Sequence, residues 1–184
     1  MESFEHVCKV ALEAEGFVVT TNVKFPVRRQ TRRADRDEFQ THGYEVDLVG
    51  ARMDALVLAS VKSFLGSRGV NADAFVGLVS NPTPRDVGGY KLFNDSELRN
   101  SVKAVAAERY GYELDQIKLR LYVGKFAGGD HRDRIIDHLA RLDVEVKGLE
   151  EIVDAVLAAA ESKTYTDDPV FMTVKALKAA HRLG

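Results

Sequence analysis

Apolar positions along the chain alternate between two periods. Over 3–14, Phe4, Val7, Cys8, Ala11 and Leu12 recur at i, i+3, i+4, i+7 and i+8, the single stripe of an amphipathic helix, and Gly16 closes it. From 17 to 25 the pattern is that of a strand, which Pro26 is expected to end. Residues 44–63, YEVDLVGARMDALVLASVKS, hold two strand-like runs around a turn centred on Arg52 and Met53. The second run, 55–63, is almost unbroken apolar sequence, as a central strand covered on both faces requires.

Beyond it, 72–80 is apolar but of undetermined type, and NPTPRDVGG (81–89) is a loop or a flap. Asn94 and Glu97 predict a capping box opening a helix to about 109, with Leu98, Val102 and Val105 inward. Ile117, Leu119, Leu121 and Val123 alternate with Lys118, Arg120 and Tyr122, a strand with one covered face. Helices follow over 130–142 and 149–161, separated by a short edge strand at 144–146. Asp168 as N-cap and Pro169 as first helical residue open a last helix to 183.

Ionisable groups interrupt this pattern where a core strand should be apolar. Strand alternation places Glu45, Asp47 and Val49 on one face and Tyr44, Val46 and Leu48 on the other. The next strand ends with Ser60 and Lys62 on one face. An antiparallel hairpin sets Asp47 opposite Ser60 and Glu45 opposite Lys62, with facing side chains about 5 Å apart. Two carboxylates, a hydroxyl and an ammonium then meet at one end of a buried hairpin. That set suits metal-assisted attack of water on a phosphodiester: carboxylates hold magnesium or manganese, and a lysine positions the water and offsets phosphate charge.

Asp47 followed by Ser60-Val61-Lys62 resembles the PD-(D/E)XK nuclease superfamily, whose signature is an acid on one strand and acid-x-Lys on the next. Val46 stands at the family's proline and Ser60 at its second acid. Helix 3–14, with Phe4-Glu5 ahead of Gly16-Phe17, is similar to the first helix of Mrr-like endonucleases and Holliday-junction resolvases, in which that glutamate supports the metal. The resemblance covers about 3–124. It implies an α/β, restriction-endonuclease-like αβββαβ core, a mixed sheet flanked by helices, with extra C-terminal helices over about 130–184, all in one domain spanning 1–184. It implies a metal-dependent deoxyribonuclease with Asp47 as primary ligand, Glu45 and Glu5 completing the metal shell, Lys62 orienting water and Ser60 bonding water or phosphate. Nucleases with serine at this position can recruit a glutamate from the following helix, which makes Glu97 a further candidate. The alternative is the same fold retained as a non-catalytic module binding nucleic acid or protein. A third reading is an interaction protein that dimerises through its C-terminal helices.

Composition adds one feature. The 184 residues carry 26 Lys and Arg against 28 Asp and Glu, a formal charge of −2 that does not itself favour nucleic acid. Positive charge is concentrated locally: Arg28, Arg29, Arg32, Arg33 and Arg36 crowd 28–36 just ahead of the Asp47 strand, and Arg68 follows Lys62. Guanidinium forks bind phosphate bidentately, which points to DNA as partner. The single Cys8 lies in the apolar stripe, is read as a small buried hydrophobe, and fits a reducing cytoplasm. No apolar run is long enough to span a membrane, and 1–10 lack a signal peptide's pattern.

Overall fold

The computed structural model describes residues 2–30, 39–78, 87–161, 167–180 and 182. It is an α/β fold with a five-stranded mixed sheet between two layers of helices. In chain order the elements are α1 (Ser3–Ala14), β1 (Val18–Gln30), β2 (Phe39–Arg52), β3 (Ala55–Lys62), a 3₁₀ turn (Ala72–Ala74), α2 (Lys91–Asn94), α3 (Ser96–Tyr110), β4 (Ile117–Val123), α4 (His131–Ala140), β5 (Val144–Gly148), α5 (Leu149–Ala160) and α6 (Pro169–Ala179). The sheet runs β1-β2-β3-β4-β5. Its first three strands are antiparallel, whereas β3-β4 and β4-β5 pair in parallel. Parallel neighbours need crossover segments, supplied here by α2 and α3 and then by α4.

Each face of the sheet has its own core. On one, Phe4, Cys8 and Leu12 of α1 pack with Val57, Ala59 and Val61 of β3, Tyr122 of β4, and Ile152 and Val156 of α5. Val170, Phe171 and Val174 of α6 pack against this core from outside, where α6 lies on α1 and α5. On the other, Leu56 and Leu58 of β3 pack with Leu119, Leu121 and Val123 of β4, Leu98 and Val102 of α3, and Ile135 and Leu139 of α4. With helices on both sides, β3 is buried almost throughout, as its apolar run predicts. Among the described residues, no helix is long and apolar enough to cross a membrane.

Four expectations change. β1 continues through Pro26, which pairs with Gly43, because β1 is an edge strand and a missing N–H on its open side breaks no ladder bond. The hairpin turn is Met53–Asp54, with Arg52 paired to Ala55 and its guanidinium clamped on the Asp54 carboxylate at 2.7 and 3.1 Å. Asp95, not Asn94, caps α3 by accepting the Leu98 N–H at 2.8 Å. Asn94 is already engaged, accepting from Val76 N–H and donating to the carbonyls of Ala74 and Val87. α6 ends at Ala179.

The fifth correction concerns β4, which is covered on both faces. Only Lys118 is exposed, while Arg120 and Tyr122 are buried. The Arg120 guanidinium donates to both oxygens of Glu15 at the end of α1 (2.8 and 2.9 Å), to Glu145 of β5 (2.7 Å) and to the Tyr122 hydroxyl (2.7 Å). Burial opposes its charge, but the Glu15 bonds and the neighbouring Glu145 more than offset it and raise its pKa. Arg120→Leu is expected to destabilise the fold by about 2–3 kcal/mol in urea denaturation, below the roughly 3–5 kcal/mol of a fully buried pair, because both carboxylates stay partly hydrated.

Candidate functional site

The site forms where β2 parts from β3. Their ladder runs from Arg52↔Ala55 to Leu48↔Ala59 and stops. One step further, the same register brings Asp47 level with Ser60. No main-chain bond is made there; instead Asp47 Oδ2 accepts the Val61 N–H at 2.7 Å.

The cause lies in an inversion shared by β1 and β2. Strict alternation would put Val19 and Val23 on one face, yet Val19 packs with the α1 core and Val23 with the opposite one. Between them Asn22 adopts φ 55°, a left-handed conformation that asparagine tolerates. The ladder skips Asn22 and Asp47, which its register sets level with each other, and β2 inverts there too: Leu48 faces α1 whereas Val46 and Val49 both face the α3 side. The expected grouping of Tyr44, Val46 and Leu48 on one face therefore fails. The Asp47 side chain is turned into the seam between the strands, where it takes the place of a ladder carbonyl.

Lys62 ends β3 on the α3 side, its Nζ 5.6 Å from the centre of the Tyr90 ring, a cation–π contact that holds the ammonium at the strand end. Ser60, two residues earlier, is only 8% exposed, and its hydroxyl has no hydrogen-bond partner among the described residues. β3 and β4 are parallel here, so the site opens at their carboxyl ends, where open α/β sheets take their ligands. Asp47 is a perturbed acid. Burial is the largest influence and raises its pKa; the Val61 N–H and Lys62 pull it down, and the charges of Glu5 and Glu45 push it up again. Those charges mark who surrounds it. The same surroundings act on Tyr44, whose phenol burial and Asp47 push up to about 12 against a bond from the Leu92 backbone. They also act on Cys8, whose thiol is raised by burial, then by Glu5 and Asp47, and is an inert core group.

The structure thus gathers Asp47, Ser60 and Lys62 but not the remaining acids. Glu45 does not face Lys62: it is exposed and lies across from Lys24 of β1, with 3.6 Å between Oε2 and Nζ. Glu5 accepts the Glu2 N–H at 3.0 Å at the start of α1. Both bias Asp47 electrostatically, yet among the described residues no three His, Cys, Asp or Glu side chains stand close enough to hold a metal. Glu97 is exposed in the first turn of α3. The expected shell of Asp47, Glu45 and Glu5 is therefore corrected to Asp47 alone, with Oδ1 uncommitted among the described residues. That donor set still fits a hard divalent cation that keeps most of its waters and takes its other ligands from a phosphate, since magnesium is commonly held by one or two carboxylates.

Of the arginines, Arg28 is exposed and stacks 4.4 Å from the centre of Phe39 across the β1–β2 ribbon. It is level with Thr41, six residues along β2 from Asp47, about 20 Å at ~3.3 Å per residue. Arg29 pairs with Gln40 through its backbone, and Arg32, Arg33 and Arg36 lie outside the described residues. Arg68 is exposed beyond β3. Sequence spacing did not single out Tyr90, whose place beside Lys62 depends on a contact made by a distant segment.

No family model matches the chain, and no curated protein does. A solved structure described as a protein of unknown function, AF1548, is similar over 97% of this chain and 77% of that one, at 12% identity and a TM-score of 0.46.

Proposed function

We propose that the protein is a metal-dependent nuclease that hydrolyses DNA phosphodiester bonds on a divergent restriction-endonuclease-like core. One observation carries this reading: Asp47 is turned into the β2–β3 seam beside the carboxyl ends of two parallel strands, level with Ser60 and two residues along β3 from Lys62. A half-buried carboxylate, kept reluctant to ionise by desolvation and then by two further acids, gains from a cation, and it is the group that would hold one. Bound there, magnesium or manganese would supply Lewis-acid polarisation of the phosphate and a water of lowered pKa. Lys62 offsets charge on the non-bridging oxygens and orients the water, its ammonium held in place over Tyr90. The Ser60 hydroxyl, unpartnered among the described residues, is placed to donate to the same phosphate or water.

A second reading is favoured by the missing acid at Ser60 and by the engagement of Glu5 and Glu45 elsewhere: a non-catalytic module that binds nucleic acid. Incubating the purified protein with duplex, single-stranded and branched DNA, with and without magnesium or manganese and beside Lys62→Ala, separates them. Metal-dependent strand breaks made only by the parent support the nuclease. Binding that needs no metal and leaves the strands intact supports the module.

Arg28 is assigned to backbone contact distant from the scissile bond, because about 20 Å corresponds to six base pairs of duplex at ~3.4 Å each. Neutralising Arg28, Arg29, Arg32 and Arg33 together is expected to flatten the log–log salt dependence of duplex binding, by about 0.7–0.9 for every phosphate that is no longer neutralised. An unchanged slope in a salt titration by anisotropy removes this segment from the interface.

A further inference from the structure

We propose that Asn94 is a positioning residue of the Asp47–Lys62 site, acting through Phe75 and Tyr90 to set where the Lys62 ammonium stands. This rests on the nuclease reading and adds to it a residue that touches neither metal nor substrate. The Lys62 ammonium is carried on a long flexible stem, and the Tyr90 ring 5.6 Å away restrains it. The ring can do so only if it is itself held. Tyr90 precedes α2, a helix of four residues that is too short to be stable alone. Its ring lies on that of Phe75, with centroids 4.7 Å apart, and both side chains are buried. Phe75 in turn follows a 3₁₀ turn of three residues and belongs to no helix or strand.

The Asn94 amide supplies what these short elements lack. Its Oδ1 accepts the Val76 N–H at 2.9 Å and its Nδ2 donates to the Ala74 carbonyl at 2.8 Å, one bond on each side of Phe75. The same Nδ2 donates to the Val87 carbonyl at 3.3 Å, which also accepts the Tyr90 N–H at 3.1 Å. The Asn94 N–H donates to the Tyr90 carbonyl at 2.9 Å. One residue thus sets the two rings against each other, and the Tyr90 ring meets Lys62. The same segment reaches the acid side of the site. The Leu92 backbone bonds the Tyr44 phenol, which the Asp47 charge also acts on.

Asn94→Asp tests this, because the carboxylate still accepts from Val76 but has no N–H to give Ala74 and Val87. Asn94→Ala is the uncharged second variant, while Tyr90→Leu removes the ring and Tyr90→Phe keeps it. The full chain is labelled by reductive methylation with isotopic formaldehyde. The NMR signal of Lys62, assigned by its loss in Lys62→Ala, is expected to be shifted upfield by the Tyr90 ring. Tyr90→Phe should keep that shift. Tyr90→Leu and both Asn94 variants should return the signal to the position of exposed lysines. In magnesium-dependent cleavage they should lose about 10- to 100-fold in kcat, with KM changed by less than about twofold. A folded Asn94 variant that keeps either the shifted signal or the parent's kcat overturns the assignment. Loss of the fold in both Asn94 variants overturns it too, since the amide would then serve stability rather than position. A parent that cuts no DNA overturns the nuclease reading, while the Lys62 signal still decides whether Asn94 places the ammonium.

Discussion

Asp47→Asn is expected to abolish metal-dependent cleavage, by about a thousandfold or more, while folding at least as stably as the parent. The two effects have one origin. The amide oxygen still accepts the Val61 N–H, so the seam keeps its bond. What disappears is a charge that burial and the neighbouring Glu5 and Glu45 disfavour. Because the folded state raises this pKa, it holds the proton over a range in which the unfolded chain has released it. Stability therefore falls as pH rises from the ordinary carboxylate value through the raised one, and the asparagine variant is spared that fall. Thermal melts from pH 3 to 8 should show the two proteins converging at the acid end and the variant level with or above the parent at neutral pH. Lys62→Ala should lose about a hundred- to ten-thousandfold of activity, without the gain in stability. A variant at either position that cleaves like the parent removes the site assignment.

Gly124→Ala is expected to be the most damaging single-methyl change near the site. Gly124 N–H donates to the Lys62 carbonyl at 2.9 Å, so the two strand ends touch. A Cβ at Gly124 would collide with the Ser63 carbonyl oxygen and sit 3.1 Å from the Phe4 ring. The first obstacle is backbone, which cannot swing aside as a flexible side chain would. Overpacking of this kind costs about 3 kcal/mol and is relieved by moving the chain that carries Lys62. A displacement of about 1 Å lowers a rate roughly a hundredfold. Both losses should appear together, in denaturant midpoint and in cleavage rate. Gly128→Ala, where an added methyl meets nothing within 4 Å, is the control expected to change neither.

Local signals in the sequence carried most of the element order. The stripe from Phe4 to Leu12, the apolar run of β3 and the Asp168-Pro169 helix start each act over a few residues, and each forms as expected. Three features depended on distance. Arg120 and Tyr122 read as a solvent-facing set because their partners are remote: Arg120 bonds Glu15 and Glu145, 105 and 25 residues away, and Tyr122 packs with Phe4 and Cys8 of α1. Pro26 looked like a strand end because nothing local distinguishes an edge strand from a central one. Within the site, the register read from the sequence sets Asp47 level with Ser60, and the β2–β3 ladder continues to the step before it. That register misplaced Glu45, since regular alternation does not hold through Asn22 and Asp47, where both strands invert, and since Lys24 on the β1 side competes for the carboxylate.

Pro26 has a use apart from its effect on β1. That strand is thirteen residues long and has no partner strand on its outer side among the described residues, the kind of border on which identical chains add to one another. A residue with no N–H near its middle, and the left-handed Asn22 four positions earlier, break that border into pieces too short and too bent to recruit a further strand. The long ribbon can therefore extend well past β3 without polymerising.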